Sequence, residues 1–222
     1  MLKGGNAMGL EAEREREAAS DEGLIRAVRE GATERYEALI EKYQQRLYIY
    51  CYHLLMQREE AEDAVQEVFI KGYEKLSQFV YNQSFAAWLY KIAYHHCLNV
   101  LRKRRRTALL SKLLKPLGHE GADDGYAEAR RKEVALQSEL ALGRLTVVER
   151  SLIVLRVIEG KSYEEIGQSF PQSPAALRKK VERAKLKLKR IWMELEGDVD
   201  GEATKYAMAR ESERIGRAIA PD

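Results

Sequence analysis

The chain has 222 residues, a formal charge of +3 at neutral pH, 33 % charged residues and 8 % aromatic residues. It contains no apolar run near the roughly 20 residues that a helical membrane span requires, which excludes a helical membrane protein. With two cysteines it also cannot be a disulfide-built scaffold. Four prolines, at positions 116, 171, 174 and 221, leave long stretches free to be helical.

Residues 1–19 form a leader in which "EAEREREAA" carries no apolar stripe, so no stable packed helix is expected there. There is no signal peptide, and we expect a cytoplasmic protein without membrane insertion. Ser20 or Asp21 can cap a short helix over "LIRAVRE". Tyr36, Leu39, Ile40, Tyr43, Leu47, Tyr50, Cys51, Leu54 and Leu55 then recur at three- and four-residue steps, which predicts a long amphipathic helix. A second helix is predicted near 59–76, with Ala61, Ala64, Val65, Val68, Phe69 and Leu76 on one face. A third starts after the N-cap Ser84, carries Phe85, Trp88, Leu89, Ile92, Ala93, Cys97 and Leu101, and ends in "RKRRR" at 102–106. Cys51 and Cys97 are expected to be reduced core residues. His95 and His96 are adjacent and cannot share one helix face as metal ligands, so no metal or other cofactor is expected.

The pattern fails over 107–127, where "KPLGHEGADDG" reads as a flexible linker. Beyond it, helices are predicted at about 128–142, 147–159, 163–169 and 174–195. Two capping boxes mark two of the starts, Thr146 with Glu149 and Ser162 with Glu165. Ser173 followed by Pro174 marks the last. The fold class is therefore all-α: one helical domain over 20–106, a linker over 107–127, and a second helical domain over 128–195 that contains a helix–turn–helix. The extension 196–222 includes "EATKYAMARESERIGRAI", a candidate for one further helix.

Charge is concentrated on the last helix. Between residues 176 and 190, eight basic side chains stand against Glu182 alone, a net +7 in a chain whose total is +3. A solvated helix normally mixes both signs. In a helix–turn–helix the second helix enters the major groove with its N-terminal part against base edges. Ala175 and Ala176 permit close approach, and Arg178, Lys179, Glu182 and Arg183 follow at spacings that place several on one face. Arg grips guanine with two hydrogen bonds and Glu accepts from cytosine. Lys180, Lys185 and Lys187 are better placed for phosphates or solvent, and Leu177, Val181, Ala184, Leu188 and Ile191 form the buried face.

Two strings, "REEAEDAVQEVFIKGYEKLSQF" at 58–79 and "FAAWLYKIAYHHCLNVLRKRRR" at 85–106, resemble the second conserved region of bacterial sigma factors. "LTVVERSLIVLRVIEGKSYEEIGQSFPQSPAALRKKVERAKLKL" resembles the family's fourth region, and the short linker is similar to that of the extracytoplasmic-function (ECF) group of the sigma-70 family. The resemblance implies a sigma factor: a non-enzymatic subunit that takes core RNA polymerase to promoter DNA and answers to an anti-sigma factor. It implies that Asp63, Gln66, Glu67 and Phe69 bind the β′ clamp helices, and that the C-terminal domain binds the β flap. The pattern of residues alone puts Phe69 in the core.

The resemblance also assigns two promoter contacts. Tyr81, Asn82, Gln83 and Ser84, with Trp88, Asn99, Arg102, Lys103, Arg104, Arg105 and Arg106, lie where −10 DNA passes. An aromatic ring and two amides suit an extruded base. Ser173, Ala176, Arg178, Lys179, Lys180, Glu182, Arg183 and Lys185 lie on −35 DNA. Two departures stand out. Housekeeping members have two adjacent tryptophans where this chain has Trp88-Leu89, and ECF members usually have Gly and an apolar residue where this chain has Pro171-Gln172. The competing reading is a stand-alone helix–turn–helix regulator that binds duplex DNA without polymerase. An enzyme is not expected, because no triad, metal cluster, Gly-rich phosphate loop or paired catalytic carboxylates can be found.

Overall fold

The computed structural model of the chain describes residues 20–112 and 137–197. The described elements are all helical. They are α1 (Asp21–Arg29), a 3-10 turn (Thr33–Arg35), α2 (Tyr36–Leu55), α3 (Arg58–Glu74), a second 3-10 turn (Leu76–Gln78) and α4 (Phe85–Lys112). After these come α5 (helical over 137–143), α6 (Val147–Ile153) running into a π-helical stretch (Val154–Ile158), α7 (Tyr163–Ser169) and α8 (Pro174–Gly197). Helix α4 reaches Lys112, so the opening of the expected linker, 107–112, is helix. The leader 1–19, the rest of the linker and residues 198–222 lie outside the described residues.

Helix starts follow local chemistry. Ser20 Oγ accepts from the Gly23 N–H at 3.1 Å and Ser84 Oγ from the Ala87 N–H at 3.1 Å. Both capping boxes form: Thr146 Oγ1 accepts from Glu149 N and the Glu149 carboxylate from Thr146 N, and Ser162 and Glu165 do the same. Helix α2 stops at Met56, whose left-handed backbone (φ 56°) turns its N–H back onto the Tyr52 carbonyl at 2.7 Å.

The core of the first half lies between α2, α3 and α4. Leu39, Leu47, Tyr50, Leu54, Ala64, Val68, Leu89, Ala93, Cys51 and Cys97 are fully enclosed, and each large apolar side chain buried contributes about 1.5–3 kcal/mol. Gly72 is needed here: a Cβ at this position would sit 2.8 Å from the Tyr36 hydroxyl. In the second half, Ala141, Leu142, Leu145, Ile153, Ala184 and Ile191 close a smaller cluster.

The halves do not stand apart. Leu152, Val154, Leu155, Ile166, Phe170, Leu177 and Val181 belong to the same apolar cluster as the first half. Polar contacts stitch one edge of this seam. Tyr90 donates to Glu159 at 2.8 Å, Ser169 Oγ donates to the Ala87 carbonyl at 2.9 Å, and the Ser84 N–H donates to Gln168 Oε1 at 2.9 Å. Tyr50 pairs with Ser151, and the Tyr94 ring meets Phe170 edge-on, 5.0 Å between centroids.

Another part of the seam is badly matched. Arg150 is only 7 % exposed, and among the described residues its Nε has no hydrogen-bond partner and it feels the like charges of Arg104 and Arg105. Burial first, then those two arginines, lower its pKa. His53 Nδ1 is likewise buried without a partner among the described residues, and burial lowers that ring's pKa.

Candidate nucleic-acid interface

Helix α8 carries its apolar residues at four- and three-residue steps. Leu177, Val181, Ala184 and Ile191 are buried, with Leu188 packed beside them. That stripe fixes which side chains turn outward: Arg178, Lys179, Lys180, Glu182 and Arg183 are all exposed. Ser173 Oγ caps the helix, accepting from the Ala176 N–H at 3.3 Å, so its hydroxyl already has a structural task. The turn before it, Phe170-Pro171-Gln172, is closed by the Gln172 N–H donating to the Phe170 carbonyl at 2.7 Å. It has no positive φ angle, so Pro171 and Gln172 stand where glycine is not required.

Of the phosphate-side lysines, Lys180 is exposed, Lys185 pairs with Glu182 at 3.2 Å, and Lys187 pairs with Glu149 of the α6 capping box at 2.8 Å. The structure adds two residues that sequence reasoning missed. The guanidinium groups of Arg156 and Arg178 both lie over the Tyr163 ring, 4.9 and 5.4 Å from its centroid. This brings Arg156 and Tyr163 to the foot of the recognition helix. The signal was faint because Arg156 sits in the π-helical stretch, where the three- to four-residue repeat is interrupted.

The 80–84 loop is built differently. Tyr81 is 42 % exposed, its ring edge-on to Phe79 at 5.5 Å, while Asn82 is exposed and Gln83 half-buried. Ser84 is spent on capping α4 and on the seam. Trp88 is half-buried against Phe79 and Phe85, each 5.5 Å away. Farther along α4, Asn99, Arg102, Lys103, Arg105 and Arg106 are exposed. Arg104 is not. It continues the inward row of Cys97 and Leu101, and its guanidinium bonds the Leu55 carbonyl, Gln57 and Glu60, so it is a structural tie between α4 and the α2–α3 junction.

On α3, Asp63 and Gln66 are exposed and Glu67 is half-exposed. Glu67 pairs with Lys71 at 2.9 Å, which holds its carboxyl below the ordinary range. The same Lys71 Nζ lies 2.9 Å from His96 Nδ1, and burial, then Lys71, lowers that imidazole's pKa. Phe69 belongs to the core: it is 6 % exposed, its ring is edge-on to Tyr36, and its carbonyl accepts the Tyr36 hydroxyl at 2.8 Å. Its side chain is not available to a partner. The outward apolar residues are Ile70 and Tyr73, 52 % and 44 % exposed. They extend the row Asp63, Gln66 along one helix face.

The described residues hold no group of three or more metal-ligating side chains and no helix long and apolar enough to cross a membrane. Residues 39–107 match the family model for sigma-70 region 2, and residues 137–188 match that for sigma-70 region 4, together more than half of the chain. The ECF RNA polymerase sigma factor SigW of Bacillus subtilis is 27 % identical over 176 residues, covering 75 % of this chain and 93 % of that one. The RNA polymerase sigma-H factor of Pseudomonas aeruginosa is 28 % identical over 175 residues, covering 74 % of this chain and 90 % of that one. Two solved structures share the fold. CnrH in complex with the cytosolic domain of CnrY has a TM-score of 0.58 at 22 % identity, covering 76 % of this chain and 94 % of that one. The sigma factor RpoE in complex with the anti-sigma factor NepR from Bartonella quintana has a TM-score of 0.56 at 22 % identity, covering 70 % and 95 %. With both conserved regions present in order, on the helices that the sequence marks for them, the chain belongs to the sigma-70 family, in its ECF group.

Proposed function

We propose that this sigma factor divides promoter reading between its two halves. Arg178, Lys179, Glu182 and Arg183 read −35 bases, with Lys180, Arg156 and Tyr163 on the flanking backbone. Tyr81, Asn82 and Gln83 hold an extruded base of the −10 element, and Asn99, Arg102, Lys103, Arg105 and Arg106 follow its phosphates. In this reading, residues 20–106 serve the −10 element and residues 128–195 the −35 element. The observation that carries the reading is the outward row of α8, positively charged and opposite a complete buried stripe.

Core polymerase engages α3 through Asp63, Gln66 and Glu67, with Ile70 and Tyr73 supplying apolar area, while the second half meets the β flap. Two structural neighbours are held by a partner, CnrH by the cytosolic domain of CnrY and the sigma factor RpoE by the anti-sigma factor NepR, and the second supports an anti-sigma partner here. The chain works in the cytoplasm as a non-enzymatic initiation subunit.

The seam adds a requirement. The −10 loop abuts the helix–turn–helix, with Ser84 N 2.9 Å from Gln168 Oε1. Two elements about 25 base pairs apart lie roughly 85 Å apart on straight duplex, at about 3.4 Å per pair. The halves therefore part when both elements are read. The test mixes the chain with core polymerase. Transcription should start from a cognate promoter that core alone ignores, and duplex binding without association with core would instead favour the stand-alone regulator.

A further inference from the structure

The loop that we assign to base capture has little regular structure of its own. It begins at the end of the 3-10 turn Leu76–Gln78, and Ser84 ends it by capping α4. What holds its first part is a residue far away in sequence. Arg29, in the last turn of α1, donates from Nε and Nη2 to the Leu76 carbonyl at 3.1 and 2.6 Å, and from Nη2 to the Phe79 carbonyl. The same guanidinium lies against the Tyr81 ring, 5.2 Å from its centroid.

Arg29 is not needed by its own helix. The terminal carbonyls of α1 receive the backbone N–H groups of Glu30, Gly31 and Ala32, with Gly31 at φ 108°. A planar fork that bonds two carbonyls and stacks on an aromatic ring is a combination lysine cannot reproduce. Arg29 also lies outside residues 39–107, the stretch that matches region 2.

We propose that Arg29 is a positioning residue for −10 recognition: its guanidinium fixes the 76–81 backbone and backs one face of Tyr81, leaving the other face free to stack on the extruded base. The inference rests on the reading of the 80–84 loop as the base-capture site. Holding the ring before DNA arrives removes an ordering cost from binding.

The experiment uses holoenzyme assembled from full-length chain and core polymerase, with a single-stranded −10 oligonucleotide followed by fluorescence anisotropy. Five variants are compared with the parent: R29A, R29K, Y81A, the double variant R29A/Y81A, and N82A/Q83A. Both R29A and R29K should lose about tenfold in single-strand affinity, and R29A/Y81A should lose little more than Y81A, because the two residues act as one unit. Core-polymerase affinity and the thermal midpoint of R29K should match the parent, which separates positioning from folding. If N82A/Q83A loses affinity while R29A and R29K do not, or if the R29A and Y81A losses add in full, Arg29 is not a positioning residue and the base-capture reading stands. If N82A/Q83A also binds like the parent, the base-capture reading falls and the role of Arg29 falls with it.

Discussion

Helix α8 and the 80–84 loop are held in place by opposite means. The helix is fixed along its whole length: its buried stripe, its Ser173 cap and its backbone ladder set the outward row before any DNA arrives. The loop depends on outside help, from Arg29 in α1, Phe79 and the Ser84 cap. Duplex DNA is regular, so a regular element can read it. An extruded base is a single irregular object, and holding it takes side chains gathered from separate elements.

The comparison breaks most visibly in the helix–turn–helix core. Leu177 is fully buried, and Leu177→Ala should cost about 2–5 kcal/mol, read by urea unfolding. Binding to −35 duplex should fall with it. A loss below about 1 kcal/mol would mean that α8 is not held by this stripe.

A smaller effect separates base contacts from phosphate contacts within α8. Arg178→Ala should cost about 1–3 kcal/mol at the favoured −35 site and change base preference. Lys180→Ala should weaken all sites alike and flatten the salt dependence. Affinities across a panel of −35 variants at two salt concentrations check both, and an unchanged preference in Arg178→Ala would remove that residue from the base-reading row.

The seam allows a change of opposite sign. Arg150 is buried, feels the like charges of Arg104 and Arg105, and forms no ion pair among the described residues. An uncompensated buried charge opposes the packing that buries it. Arg150→Met should stabilise the free chain by about 1–2 kcal/mol in chemical unfolding and slow promoter opening by holding the halves together. A destabilised Arg150→Met chain would show that the guanidinium supports the seam.

The smallest effect on stability is expected on α3. Glu67→Lys should leave unfolding within about 0.5 kcal/mol of the parent, since the site is half-exposed. Core-polymerase affinity should nevertheless drop. Ile70→Ala and Tyr73→Ala should weaken core binding as well, whereas Phe69→Ala should act through the fold, because that ring is in the core.

Much of this was legible in the sequence because periodicity and caps are local. The helix order, both capping boxes, the Ser173 start of α8 and its buried residues all follow from spacings within one element. The sequence was silent where the decisive partner is distant. Arg29 acts 47 and 50 residues away, and Tyr90 meets Glu159 69 residues away. Five basic residues in a row looked alike until the inward turn of Arg104 toward Glu60 set it apart. Phe69 joined the polymerase contact by resemblance, although its own spacing already placed it with Ala61, Ala64 and Val68 in the core.

In the proposed reading, one chain carries two promoter-reading surfaces which pack together when free and part on DNA. Energy transfer between dyes at Ser77→Cys and Met193→Cys measures that parting; both positions are exposed, while the native thiols of Cys51 and Cys97 are buried and escape labelling. Transfer should be efficient in the free chain and should collapse when core polymerase and promoter DNA are added, as the two elements hold the halves roughly 85 Å apart. Transfer that stays at its free-chain level in a transcribing complex would show that the halves do not part on promoter DNA.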